Sequence, residues 1–348
     1  MKVDLLNRAM VNSDLGVVNA ARCSFDKESY LKLVHDTDSN TEACQWTAQK
    51  HTFPCDTDSH YVYKLSEADT KLIKYLAQHQ HWTPFAHAQE TFSLNIEDNE
   101  LLHFLLNANL SGFEWIDTVP WPVRGSLYAW STNLHHLPSD IARDIGYTLQ
   151  EKYPVSQAVL QPQWTMDCQS PGGMCRVQSI TQPSESHLIS YSLRIHCPIF
   201  VKRQLETHRR NFVMTDIEDF SQNEVSRRYI DSEPEIWSPT TWRIQSKNKK
   251  QGSTDEQLQG LAEQIANSNY RHVTYNSLLV YKSLNSKGVA HEQSRAVLPL
   301  STYTTFLWTG SLKSWQRMFT LRLDSHAQSE TQEIAQMCYN SIRAVNRC

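Results

Sequence analysis

The chain has 348 residues, 40% hydrophobic and 20% charged, with a formal net charge of −4. That is long enough for one large domain or two ordinary ones, and the mild acidity argues against a general nucleic-acid binder. No run nears the roughly 18 apolar residues needed to span a bilayer, and the opening Met1-Lys2-Val3-Asp4 lacks the apolar core of a signal peptide, so a cytoplasmic protein away from membranes is the expectation.

In chain order, residues 3–6 read as a short strand and 14–22 as a helix, from apolar residues at helical spacing. Residues 30–62 are polar and irregular and read as a surface insertion. Ser66 or Asp69 is placed to cap a helix carrying Leu72, Ile73, Tyr75 and Leu76, which stops before Pro84. Residues 91–96 alternate like a strand. Residues 97–185 mix helical patches with turns marked by Pro and Gly, and read as either a subdomain or an elaborated loop. Strand character returns over 189–195, and Pro198 then precedes a helix with Phe200, Val201 and Leu205. A polar linker at 244–257 leads to a long helix over about 255–287, a second helical stretch from Val289 and a third over 314–346. One echo stands out: Gly125-Ser126-Leu127-x-x-Trp130 against Gly310-Ser311-Leu312-x-x-Trp315. Six positions are too few to separate duplication from coincidence.

The eight cysteines form no C-x-x-C pair and are too sparse for a disulfide scaffold. Cys168 and Cys175 flank Pro171-Gly172-Gly173, but structural zinc prefers closer ligand pairs, so free thiols and no metal are the reading. The densest polar chemistry lies in 201–209 and 221–229. There Lys202, Arg203, Arg209, Arg227 and Arg228 face only Glu206 and Glu224. Forked arginine donors beside serine hydroxyls and amides suit a small anion such as a phosphate monoester. A solvated, salt-bridged helix end would carry the same residues.

The second of these segments, Ser221-Gln222-Asn223-Glu224-Val225-Ser226-Arg227-Arg228-Tyr229, preceded by Thr207-His208-Arg209, resembles the signature of flavin-dependent thymidylate synthases. The resemblance extends over ordered blocks from residue 20 to 335. These are Arg22-Cys23-Ser24-Phe25, His81-Trp82-Thr83-Pro84-Phe85-Ala86-His87, Cys197 to Gln204, Trp242-Arg243-x-Gln245, Glu292-x-x-Arg295 to Leu300, and Leu321-Arg322-x-Asp324-x-His326-Ala327-Gln328-x-Glu330.

Such enzymes methylate dUMP with methylenetetrahydrofolate as carbon donor and reduced FAD as hydride source, and NADPH usually reduces the flavin. By resemblance, Arg322 is the catalytic residue, a fixed cation that stabilises negative charge on the pyrimidine so that C5 becomes nucleophilic without a cysteine. The resemblance further places Gln204, Ser226, Arg228, Arg322 and a neighbouring subunit's copy of Arg295 on the nucleotide, with Glu224 positioning its site. His81 and Tyr229 fall in the folate pocket. Ser24, His81, Thr83, His208, Arg209, Lys313 and His326 fall at the flavin, and Asp324 is cast as a partner of Arg322.

Departures from the family pattern gather at the cofactor. Thr207 replaces the first arginine of the triplet, Ala86 a glutamate, Ser311 an asparagine and Lys313 an arginine. One lost charged hydrogen bond costs roughly 1.5–3 kcal/mol, so weakened FAD binding is expected unless Arg124, Arg176 or Arg210 substitutes. Three readings therefore stand: a flavin-dependent thymidylate synthase; a related C5 hydroxymethylase or methylase of dUMP or dCMP from a viral nucleotide-modification pathway; and a non-enzymatic nucleotide binder. The expected architecture is α/β (α+β): a single domain over 1–348 with a central mixed or antiparallel sheet flanked by long helices, insertions at 30–62, 97–185 and 210–220, and a homotetrameric assembly.

Overall fold

A computed structural model describes residues 1–6, 11–35, 61–108, 113–115, 120–160, 177–179, 188–209, 220–247 and 252–345. The strands, in chain order, are β1 (Lys2–Leu5), β2 (Lys32–His35), β3 (Tyr61–Lys64), β4 (Gln89–Leu94), β5 (Phe113–Trp115), β6 (Trp121–Ser126), β7 (Val177–Ser179), β8 (Ser190–Pro198), β9 (Phe220–Glu224), β10 (Arg243–Gln245), β11 (Ser253–Gln257) and β12 (Tyr303–Ser311). They build two four-stranded sheets, ordered β5-β6-β4-β7 and β1-β8-β12-β9, and two small hairpins, β2-β3 and β10-β11. Every strand pairing among the described residues is antiparallel. The expected single central sheet is thus two antiparallel sheets, each with its own core.

In the sheet that carries β12, the strand pairs with β8 along its whole length, from Tyr303 opposite Pro198 to Ser311 opposite Ser190. Side chains alternate across a strand, so Phe306 and Trp308 share one face and Leu307 takes the other. Phe306 and Trp308 pack with Leu193, Ile195, Trp315, Met318 and Cys338, under helices Leu312–Arg322 and Ser329–Val345. Leu307 packs with Ala20 and Cys23 of helix Asp14–Cys23, which covers the opposite face. Burial on both faces accounts for the three consecutive apolar residues at its centre, Phe306-Leu307-Trp308.

The other sheet is closed on one side by helices from 67 to 160, around Phe92, Leu94, Phe104, Phe113, Trp130 and Ile145. Strands β5, β6 and β7 all lie inside 97–185, so that stretch supplies most of this sheet. Helix Glu67–Gln78 starts at Ser66, whose side chain accepts from the amide of Asp69, the cap its sequence calls for. Asp14 ties the two halves of the molecule. Its carboxylate accepts from the amides of Val155 and Ser156 at 2.8 and 2.9 Å, and from the Ser156 hydroxyl, so it caps helix Pro154–Leu160. Burial, partly offset by these hydrogen bonds, pushes its carboxyl up to about 6.

The long C-terminal helix begins at Gly260, where the expected helix over 255–287 includes strand β11 at its start. The expected helix over 314–346 is two helices separated by the turn 323–328. Helix Gly260–Ser286 leaves Leu261, Ile265, Val273, Tyr275 and Leu279 exposed.

Candidate functional site

Two groups of polar residues converge near the ends of the β12 sheet. The first is built on helix Ile199–Leu205, which Pro198 opens and which tightens into a single 3-10 turn over Glu206–Arg209. This spacing sets Gln204 and His208 one turn apart on one face. Arg322, the last residue of its helix, reaches this face. Its Nε donates to His208 Nε2 at 2.8 Å, and its Nη2 donates to the Gln204 carbonyl at 2.9 Å and the Thr207 hydroxyl at 2.8 Å. Three of five guanidinium hydrogens are therefore spent, and the two on Nη1 have no partner among the described residues. Accepting at Nε2 requires a neutral His208 protonated at Nδ1. Burial, followed by Arg322 and Arg317, pushes its imidazole down to about 4, which keeps it neutral.

The Gln204 amide is held on both sides. It donates to Gln328 and accepts from Thr331 Oγ1 at 3.1 Å. Gln328 in turn donates to Glu330, which takes Arg243 on both oxygens at 2.9 Å. Burial raises the Glu330 carboxyl, but the Arg243 and Gln328 hydrogen bonds outweigh it and the net direction is down. Asp324, expected at Arg322, instead accepts from the His326 amide and ring within their own turn, at 2.8 and 2.7 Å. His326 is exposed.

The second group sits where β9 leaves the sheet. Glu224 ion-pairs with buried Lys202 at 3.0 Å and accepts from Thr304 Oγ1 at 2.7 Å. Two residues on, the amide of Ser226 donates to the carbonyl of Ser24 at 2.9 Å, which joins a nucleotide-site candidate to a flavin-site candidate. Arg228 donates from Nε to Ser226 Oγ at 3.2 Å and lies 4.9 Å over the Tyr229 ring. Tyr229 stacks on Phe25 at 4.7 Å, and both rings are exposed. The result is a flat aromatic face beside an exposed guanidinium.

Of the remaining candidates, Thr83 opens the short helix Thr83–Ala86 and is exposed. His81 lies against Tyr75 and His79. Lys313 stands in the first turn of helix Leu312–Arg322, exposed to solvent. Arg295, also exposed, follows helix His291–Ser294. His81 and Arg295 hydrogen-bond to neither group. The side chain of Arg209, and residues Arg176 and Arg210, lie outside the described residues, as do Cys168 and Cys175. Arg124 is buried and donates to Gln89 and Ser190. Ser311 is fully buried and caps its helix by accepting from the Ser314 amide, so it is spent on local structure.

Sequence reasoning missed His87, Asn223 and Thr309. His87 is buried, with Nδ1 2.8 Å from Thr309 Oγ1 and Nε2 3.2 Å from Asn223 Oδ1. Ser192 Oγ lies 2.7 Å from the same threonine. The Asn223 oxygen only accepts, so His87 carries its proton on Nε2 and Nδ1 accepts from Thr309. Burial pushes this imidazole down to about 4 despite the Asn223 contact. Its place in the His81–His87 block was the available signal. The three described cysteines, Cys23, Cys197 and Cys338, are buried and free. Burial drives the thiols of Cys23 and Cys197 up to about 11 and 12, and that of Cys338 higher still. None is a thiolate nucleophile at neutral pH.

The family described as "Thymidylate synthase complementing protein" matches residues 179–346. The flavin-dependent thymidylate synthase of Aquifex aeolicus is 26% identical over 349 aligned residues, covering 94% of this chain and 93% of that protein. Its counterpart from Thermosipho africanus is 38% identical over 150 residues, 42% of this chain and 60% of the relative. Among solved structures, a UMP/dUMP methylase PolB from Streptomyces cacaoi bound with 5-Br UMP aligns over 99% of this chain and 88% of that one. The TM-score is 0.41 and the identity 16%, too loose to carry further argument. Over most of its length this chain is similar to flavin-dependent thymidylate synthases.

Proposed function

We propose that the chain carries out reductive methylation of dUMP to dTMP as a flavin-dependent thymidylate synthase. The observation that carries this reading is Arg322. Three hydrogen bonds fix it, and its Nη1 hydrogens remain available to a ligand. A guanidinium fixed before the ligand arrives stabilises charge that develops on the pyrimidine without reorganising during the reaction. In this reading Arg228 and Ser226 take the phosphate, with Gln204 bound through its carbonyl to Arg322 and Glu224 paired with Lys202.

The residues present suit a flavin and a folate. The exposed Phe25–Tyr229 stack, with Ser24 next to it in sequence, offers a flat face to a planar ring, and in this reading Thr83, His81, Lys313 and His326 supply further polar contacts to the cofactors. Thr207, standing where the family has an arginine, accepts from Arg322, so its hydroxyl supports the cation that a second guanidinium would repel. When bound, reduced FAD would supply hydride and methylenetetrahydrofolate the carbon, with NADPH as reductant of the flavin.

Because Arg295 hydrogen-bonds to neither polar group, and helix Gly260–Ser286 has exposed Leu261, Ile265 and Val273, the reading includes a homotetramer in which a neighbour's Arg295 completes each site. No helix among the described residues is long and apolar enough to cross a membrane. The test is the purified protein's flavin absorbance together with mass analysis of products from dUMP, methylenetetrahydrofolate and NADPH. A flavin spectrum and dTMP are expected, and absence of both overturns the reading.

A further inference from the structure

The echo between residues 125–130 and 310–315 extends through both sheets. Gly125 stands opposite Glu90, and Gly310 opposite Tyr191. On the far side of each glycine is a phenylalanine, Phe113 in one sheet and Phe220 in the other. Ser126 and Ser311 each end a strand and cap the next helix, accepting from the amides of Ala129 and Ser314. The next amide, of Leu127 or Leu312, donates to the carbonyl just before the paired strand, of Ala88 or Ile189.

Each tryptophan then donates its indole N–H to the residue opposite the glycine. Trp130 reaches the Glu90 carbonyl at 3.1 Å and Trp315 the Tyr191 carbonyl at 3.2 Å. Phe113 meets Trp130 edge-on at 4.7 Å and 72°, and Phe220 meets Trp315 at 4.8 Å and 80°. Even the outer strands agree in register. Val177 pairs with Leu94, and Val3 pairs with Ile195, the residue at Leu94's place. A common strand order does not dictate two indole bonds, two serine caps and three matched registers.

The two units differ where the site lies. Ten residues after Leu312 stands Arg322, and ten after Leu127 stands buried Leu137. At the spacing of Ser226 and Arg228 from Phe220, the sequence after Phe113 holds Val119 and Trp121. The family match, 179–346, covers β8, β9 and β12 of the second unit and leaves out β4, β5 and β6 of the first. The seam between the units is polar and closes on β9. Ser221 Oγ donates to the Ala86 carbonyl at 3.0 Å, His87 reaches Asn223 and Thr309, and Arg124 reaches Ser190 at 3.2 Å.

We propose that the chain holds two copies of one folding unit, that the first is a binding-silent copy, and that its turn at Ala86–His87 positions the nucleotide strand of the second. His87 acts through Asn223 and is a positioning residue. The second part rests on the dUMP reading above.

Calorimetric titration with dUMP should give one site per chain. Ser221→Ala, which loses one hydrogen bond, and His87→Leu, which loses two, should each raise KM for dUMP about three- to tenfold or more, with kcat within about twofold. His87→Gln, which keeps a donor and an acceptor, should restore part of the loss. Without any nucleotide, amide hydrogen exchange over 220–226 should quicken in Ser221→Ala, a variant mild enough to fold. Two dUMP sites per chain, or exchange over 220–226 unchanged in Ser221→Ala, overturns the proposal. No dUMP binding at all would instead defeat the functional reading, with the exchange measurement still deciding the seam.

Discussion

Replacing Arg322 by lysine separates charge from geometry. Lysine keeps a cation, but one amine cannot reproduce donors directed at His208, the Gln204 carbonyl and Thr207 while holding two more outward. Loss of two of the three internal bonds in this half-buried place costs about 1–3 kcal/mol of stability. The effect on chemistry is larger. Removing one donor aimed at developing charge lowers kcat about 10²–10³-fold, or about 2.7–4 kcal/mol. Turnover of dUMP followed by mass analysis, with nucleotide affinity measured separately, should show Arg322→Lys falling at least about 100-fold in kcat while dUMP affinity changes less than about tenfold. A variant within about threefold of the parent in kcat, or one whose defect lies wholly in dUMP affinity, refutes the role given to this guanidinium.

His208 and His87 are both held neutral, with pKa pushed down to about 4. Folded pKa values below the unfolded value of about 6.5 mean that their contribution to stability is complete above about 6.5 and is lost as pH falls toward 4. NMR titration of the two imidazoles should give midpoints near 4, and midpoints near 6.5 would count against the described burial and hydrogen bonding. Asp14, held up at about 6, works in the opposite sense: its carboxyl favours the fold below about 4, and that contribution fades as pH rises through 6. Gly125→Ala would bring a Cβ to 2.7 Å from the Phe113 ring and 3.0 Å from the Trp130 indole nitrogen. Denaturant unfolding should show about 1–3 kcal/mol of destabilisation, and an unchanged midpoint would mean that the ring moves freely. Iodoacetamide at pH 8 should leave Cys23, Cys197 and Cys338 unmodified in the folded protein, as read by peptide mass analysis, and rapid labelling of Cys23 would contradict its burial.

Local signals carried much of the fold. The Ser66 cap, the strand at 91–96 and the helix after Pro198 were all legible, because cap chemistry, alternation and proline placement act within a few residues. Strand β12 was not, since both of its faces are buried and Thr304-Thr305-Phe306-Leu307-Trp308 shows no polar alternation. Strand β11, Ser-Thr-Asp-Glu-Gln, failed for the opposite reason: a polar hairpin edge looks like linker. At the site, Arg322, Gln204 and His208 were named from their blocks and meet in the structure. His87 escaped because its partners, Asn223 and Thr309, lie 136 and 222 residues away in sequence. Asp324 was assigned to Arg322 from proximity in sequence, whereas its geometry serves its own turn.

The placement of β1 has a consequence for biosynthesis. All four strands of the first sheet lie between Gln89 and Ser179, so that sheet can close before the rest of the chain emerges from the ribosome. The second sheet needs Lys2–Leu5, made long before its partner, beside Ser190–Pro198, and it is completed only by Tyr303–Ser311. Strand β1 therefore waits for β8 through nearly two hundred further residues of translation. When its partner arrives, the first unit has had time to fold and offers Ala86 and His87 as a formed edge against which the late strands assemble. Such an order shortens the search for a sheet whose contacts are otherwise among the most distant in the sequence.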